Sequence, residues 1–360
     1  MRTERYLITL KPLAPFFFGA EETFGEGKDA RYRAVSTRFP AQSALIGMLR
    51  RTMLIAAGHM TLHKRGEWID SAHKKTDRDD PNYLAAVALA GKGVFRYDAP
   101  ADLGIIQRLS PLMIRYEGAF CIPAPKHTTL HPRYDAAVRL RRPGLPEAQP
   151  ALYFEGFKAK EGLPDGLLRD DGTELEYDEI YETVSTVGIK KSRTGQTEED
   201  AFFLKESYAL KEDATFAFLL ETSEALPQKM LDCRVEMGAD RSPFRLQALS
   251  YDGPDPIEHL SSRIPSAGEI DAVVALSELF VSPEAAGQCE MIVGKRVRRR
   301  QIRHQSRENK YAFAKTEAFY RYEPGTVLYT RTPEILAQKL ALPHLQKAGV
   351  NIFTTQKGEF

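Results

Sequence analysis

Residues 4–18, ERYLITLKPLAPFFF, decide the fold class of this chain. Tyr6, Ile8 and Leu10 recur at every second position, the period of a half-buried strand, and Pro12 and Pro15 end it because proline cannot donate to a ladder. Working outward, residues 39–58, FPAQSALIGMLRRTMLIAAG, carry Leu45, Leu49, Met53 and Ala56 at helical spacing, with Pro40 at the start and Gly58 at the stop. Ala41, Ser43, Ala44 and Gly47 make the early turns of this helix small enough for a backbone or ligand to come close.

Residues 59–100 begin polar and turn briefly helical at YLAAVALAGKG, so they read as an insertion. Residues 104–127 predict two strands turning at Glu117-Gly118, followed by the rigid exit Pro123-Ala124-Pro125. The proline-rich stretch 143–164 and the acidic run after it read as surface loops. Beyond them TVSTVGI and AFFLKESYAL flank the basic tip KKSRTGQ, which predicts a long hairpin, and TFAFLLE opens another strand. GEIDAVVALSELF reads as a strand or buried helix and GTVLYTR as a strand. Residues 332–349 read as a helix capped by Thr332 with Glu334 in its first turn. Strands and helices mix without regular alternation, which favours an α+β class over a parallel α/β sheet.

The chain has 360 residues, 42% hydrophobic and 28% charged, the composition of a soluble globular protein expected to form two domains. Residues 6–10 are too short an apolar run for a signal peptide, and nothing reaches the length of a membrane span, so a cytoplasmic protein is expected. Cys121, Cys233 and Cys289 lie too far apart for a metal knuckle or a disulfide framework and read as small buried hydrophobes. Net charge is only +1, yet charge is segregated. Residues 161–182 hold nine carboxylates against Arg169, whereas residues 297–310, VRRRQIRHQSRENK, hold five arginines, a histidine and a lysine against Glu308. Within a Debye length of about 10 Å it is this local field that a polyanion meets. Arginine forks suit phosphate, and Gln301, Gln305 and Ser306 can reach sugar or base edges, so the stretch points to nucleic acid. The tip residues Lys190, Lys191, Arg193 and Gln196 form a second basic site.

Other motifs carry less. GEGKDA at residues 25–30 formally matches a dinucleotide fingerprint but lacks a following helix and the ribose-binding acid. No phosphate-binding P-loop motif occurs. His59 with His63, and His127 with His131, have a spacing that on a helix could share a metal. The first pair follows Gly58, however, and the second lies between Pro125 and Pro132, so loop-packing histidines are the plain reading and no metal or other cofactor is expected.

LKPLAPFFFGAEETFG, YRAVSTRFPAQSALIGMLRRTML, AFCIPAPKH, VGIKKSRTGQTEEDAFFLKESYAL and YEPGTVLYT occur in that order. Together they resemble the landmarks of the RAMP subunit of type III-B (Cmr) CRISPR effector complexes that pairs with the large polymerase-like subunit. The sister subunit of Csm complexes is the nearest alternative. The double glycine common in the second half of such proteins is represented only by Gly238 in EMGADRSPFRLQ. The resemblance implies two ferredoxin-like domains. We place them at residues 1–212, with insertions at about 59–100 and 133–180, and at 213–360. It also implies a non-catalytic scaffold that anchors the repeat-derived 5′ tag of a guide RNA and bridges the large subunit to backbone RAMP subunits. On that comparison the expected RNA contacts are Gln42, Ser43 and Arg50 of the first helix, Lys190, Lys191 and Arg193 at the hairpin tip, and Lys295, Arg296, Arg298, Arg299, Arg300 and Arg303. The alternative is a metal-independent endoribonuclease processing guide precursors, with His59, His63 or His127 as base. A third reading is a protein adaptor that binds no RNA.

Overall fold

In the computed structural model the described residues are 3–19, 33–59, 62–64, 67–69, 79–93, 95–127, 130, 132–140, 149–155, 157–158, 160, 162–191, 197–238, 240–268, 270–299, 302–304, 313–315 and 319–358. The chain divides into two compact units, each built from three segments. Unit 1 is Met1–Glu117, Asp178–Gly253 and Arg300–Glu317, and unit 2 is Gly118–Tyr177, Pro254–Arg299 and Ala318–Phe360.

In unit 1 the strand Glu4–Pro12 is central. It pairs antiparallel with Ala214–Thr222 on one side, Ile8 opposite Phe218, and with Ser242–Ser250 on the other, Ile8 opposite Ala248. Asp232–Met237 adds to Ser242–Ser250, and Ile106–Leu109 and Met113–Tyr116 both pair with Ala214–Thr222. Tyr6, Ile8 and Leu10 are buried as their spacing requires, and Leu7 is buried as well. The phenylalanines after Pro15 do more than end the strand. Phe16 lies 5.0 Å from Phe18 and 5.5 Å from Phe216 between ring centroids, and Phe18 stacks on Phe244 at 6.0 Å. Phe16 also exchanges two backbone hydrogen bonds with Tyr208, tying this turn to the base of the long hairpin.

That hairpin runs from Tyr181–Lys191 into Thr197–Leu210, in register from Tyr181 opposite Leu210 to Ile189 opposite Phe202, and Arg33–Val35 adds in parallel to its second strand. The first helix is Gln42–Ala56, with Leu45, Leu49 and Met53 fully buried and Ala56 half-buried. It packs on a second helix, Pro81–Ala90, through Leu54, Ala86 and Ala90. The carboxylate of Asp80 caps this second helix, accepting from Asn82 and Tyr83 backbone N–H groups at 2.8 and 3.2 Å. The segment read as an insertion therefore contributes to the core. Gly238 turns the chain between Asp232–Met237 and Ser242–Ser250 at φ +80°, where a Cβ would lie 2.5 Å from the Phe17 carbonyl oxygen.

In unit 2 the strand Ala272–Ala275, buried at every position, pairs antiparallel with Val327–Tyr329 and with Phe353–Gln356; Met291–Val293 completes this sheet. The helix Pro333–Leu340 covers it through Leu336 and Leu340. Thr332 occupies the cap position without a side-chain cap bond, and Pro343 starts a separate short helix, Pro343–Gln346, where the sequence predicts one continuous helix. The acidic run is no simple loop either. Leu167–Arg169 is a strand paired with Ala119–Pro123, its two leucines fully buried, and the acids cluster at the turn that follows. There Asp170 accepts from the Phe120 N–H at 2.9 Å and Asp171 from the Thr173 N–H at 2.9 Å. Two sequence landmarks meet in unit 2. Gly325, at φ +82°, leaves 2.4 Å between a Cβ and the Ala124 oxygen, and its own carbonyl accepts from the Lys126 N–H at 2.8 Å.

The strand-rich, largely antiparallel mixture with helices agrees with an α+β class. A division at residue 212 does not describe the units. Ala214–Thr222, Asp232–Met237 and Ser242–Ser250, assigned by sequence to the C-terminal domain, pair with or beside Glu4–Pro12 in unit 1, while residues 118–177 belong to unit 2. Pairing across some 200 residues of chain leaves no local trace from which to place the boundary.

Candidate nucleic-acid interface

The basic stretch folds as strand. Arg296–Arg299 pairs antiparallel with Phe319–Tyr322, placing Arg296 opposite Tyr322, Arg298 opposite Tyr320 and Arg299 opposite Phe319. The register of this two-stranded ribbon thus sets arginine positions opposite aromatic positions. Arg296 is exposed, and its guanidinium lies over the ring of Tyr320 at 3.7 Å, a diagonal cross-strand cation–aromatic stack. Tyr320 is itself 42% exposed, unusual for an aromatic ring and suited to base stacking. Lys295 is exposed beside it; its ion pair with Glu323, 3.6 Å in solvent, is weak enough to yield to a phosphate. The ribbon is held from below. Val297 faces Arg321 across the pair, and Arg321, 3% exposed, forms an ion pair with Glu278; Tyr322 exchanges backbone bonds with Leu279 at 2.9 and 3.0 Å.

Arg303 lies on the strand Ile302–His304, opposite Ala314 of Phe313–Lys315, in unit 1. Lys190 and Lys191 end the first strand of the long hairpin. Arg193, Gln196 and Arg300 lie outside the described residues.

Two polar residues of the first helix, Gln42 and Arg50, bond within unit 1. Gln42 is buried and its Nε2 donates to the Ser110 carbonyl at 2.9 Å. Arg50 is half-buried, and its guanidinium donates to the carbonyls of Ala90, Gly91 (2.8 Å) and Gly93 (2.8 Å), closing the C-terminal end of the second helix. Burial lowers its pKa, and Asp102 acts the other way. Both side chains make these bonds inside unit 1, and Ser43 is half-buried. Replacing Arg50 with alanine leaves helix carbonyls unpaired and is expected to cost about 2–3 kcal/mol in unfolding free energy. RNA affinity should stay unchanged. Denaturant melts and binding isotherms of the same variant separate the two effects.

His59, His63 and His127 all lie outside helices. His59 is half-buried just after Gly58, His63 lies in the strand Leu62–Lys64, and His131 is outside the described residues. His127 is 3% exposed, its Nε2 donating to the Pro265 carbonyl at 3.0 Å. Burial lowers its pKa below the ordinary 6.5, with the Pro265 bond opposing. An imidazole so enclosed is poorly placed to meet a ribose hydroxyl. The consequence for stability has a definite sign. Unfolded His127 binds a proton near 6.5 and the folded residue does so only at lower pH, so its contribution is complete above 6.5 and is lost as pH falls through the folded value. Unfolding free energy should therefore fall on acidification from pH ~7.5 to ~5.5 more steeply than in His127→Gln; equal slopes would rule this residue out as the cause.

Cys121 is buried with its thiol pushed up to about 12 by burial, and Cys233 and Cys289 are half-buried, the setting of packed rather than reactive thiols. No helix among the described residues is long and apolar enough to cross a membrane.

Sequence reading missed Tyr320. The signal was available in FYRY, residues 319–322, where two tyrosines flank an arginine.

A sheet-rich protein of two units, each drawn from three segments of the chain, with an exposed Arg296–Tyr320 stack on a ribbon, defines the class. The family model for CRISPR-associated protein (Cas_Cmr3) matches residues 8–351, and the chain belongs to that family. Its fold is similar to a chain in the cryo-EM structure of the Type III-B Cmr-beta bound to cognate target RNA, with TM-score 0.52 and 13% identity over 97% of this chain and 96% of that one. A second similar chain is in the structure of Type III-B Cmr-beta bound to cognate target RNA and AMPPnP, state 1, with TM-score 0.51 and 12% identity over 98% and 99% of the two chains. No curated protein matches significantly.

Proposed function

We propose that this chain is a non-catalytic, cytoplasmic RNA-binding scaffold of a type III CRISPR effector complex. In this reading it anchors the 5′ repeat-derived tag of the guide RNA and bridges the large polymerase-like subunit to the backbone RAMP subunits. Family membership and the RNA-bound complexes that contain similar chains support it. Ferredoxin-like topology in both units belongs to the same reading; in unit 1 it is supported by the central first strand, the helix that follows it and the antiparallel strands on either side.

The observation that carries the proposal is the Arg296–Tyr320 stack beside Lys295 on an exposed ribbon. A single-stranded tag is best held by cations along its phosphates and by planar groups under its bases, and this ribbon offers both. Contacts from Lys190, Lys191, Arg193, Arg298, Arg299, Arg300 and Arg303 extend the same proposal. The test is a salt series with the double variant Lys295→Ala/Arg296→Ala. Each lost phosphate contact should reduce the slope of log affinity against log salt by about 1, and Tyr320→Ala should weaken binding by about 1–3 kcal/mol. Wild-type slope and affinity in both variants would remove the ribbon from the interface.

A further inference from the structure

A second surface, in unit 1, has a different chemistry. Between the exposed side of the first helix and the strand Asp232–Met237 lies a cleft of about 320 Å³, lined by Met48, Thr52, Ile55, Ala56, Cys233 and Val235. Ile55 is 53% exposed, an uncommon position for isoleucine on a helix that otherwise buries its apolar side chains. Asp232–Met237 is the last strand of its sheet, and among the described residues no strand pairs with its outer edge. Arg51, Lys229 and Arg234 rim the cleft, all exposed; none of them forms an ion pair among the described residues, and the only acid in the lining is the half-buried Glu236.

We propose that this cleft docks an acidic, amphipathic segment of a protein partner, which inserts an apolar side chain against Ile55 and Val235 and sets carboxylates against the three cations. Charge complementarity selects an acidic occupant, and the lining selects protein over RNA. Among the described residues no aromatic side chain lines the cleft on which a base could stack, its floor is aliphatic and sulfur-bearing, and Glu236 repels phosphate. Arg50 and Arg51, adjacent in sequence, thereby divide their work: the first closes the neighbouring helix and the second faces outward.

The test uses the assembled complex, purified with its guide RNA after co-expression of its subunits, with a photo-cross-linking residue in place of Ile55. Cross-links should map to a carboxylate-rich segment of a protein subunit. The charge reversal Arg51→Glu/Arg234→Glu should weaken retention of that subunit by about tenfold or more while leaving the melting temperature and the RNA affinity of the isolated chain unchanged. Both changed residues are exposed, so folding is not at stake. Cross-links to RNA, an absence of cross-links, or full retention of every subunit by the reversed variant would overturn the proposal. The readout is protein retention, so it stands or falls separately from RNA binding by the ribbon.

Discussion

Replacing Phe16 with alanine is expected to lower the unfolding free energy by about 3–5 kcal/mol, the range for deleting a fully buried aromatic ring. The ring has no exposed surface and meets Phe18, Phe216, Phe244 and Tyr208. These residues come from the first turn, two strands of the unit 1 sheet and the long hairpin, so the cavity opens where the elements of the unit converge. Refilling is difficult, because the Phe16 backbone is bonded to Tyr208 and cannot move inward alone. Denaturant titration gives the number directly. A loss below about 1 kcal/mol would mean that the turn is peripheral and that the phenylalanines are not what joins hairpin to sheet.

Arg321→Met is expected to cost about 3 kcal/mol and, unlike Phe16→Ala, to weaken RNA binding in the same variant. Arg321, on the ribbon strand next to Tyr320, is buried and paired with Glu278, whose side chain is 19% exposed. Removing the cation leaves a largely buried carboxylate without its charge partner, which is worse than having no pair. Tyr320 precedes Arg321, so loosening this strand disturbs the stacking surface as well. The control is Arg321→Met/Glu278→Leu, which removes both charges and should recover most of the stability. Failure of the double variant to recover would locate the cost in packing by the arginine stem rather than in charge.

What could be read from the sequence was local. The alternation at Tyr6, Ile8 and Leu10, the helical spacing of Leu45, Leu49 and Met53, and the strand-tip-strand pattern of the long hairpin all describe structure formed by neighbours in the chain. The residues whose bonding the sequence does not show depend on distant partners. Gln42 and Arg50 looked like free polar groups because Ser110 and the end of the second helix, which they bond, lie at least 40 residues away. Leu167 and Leu168 were masked by the carboxylates around them, although two adjacent buried leucines outweigh a charged composition. The basic stretch was found from composition, but its aromatic face was not, because Arg296 meets Tyr320 only once the ribbon is paired.

The most direct measurement is binding of the pure protein, alone and with the large subunit proposed as its partner, to a guide RNA carrying a native 5′ tag or a scrambled one, across a salt series. The account predicts tag-dependent binding, a salt slope that falls in Lys295→Ala/Arg296→Ala, and intact RNA after incubation. Equal, weak binding to both RNAs, or cleavage by the wild-type protein, would contradict it.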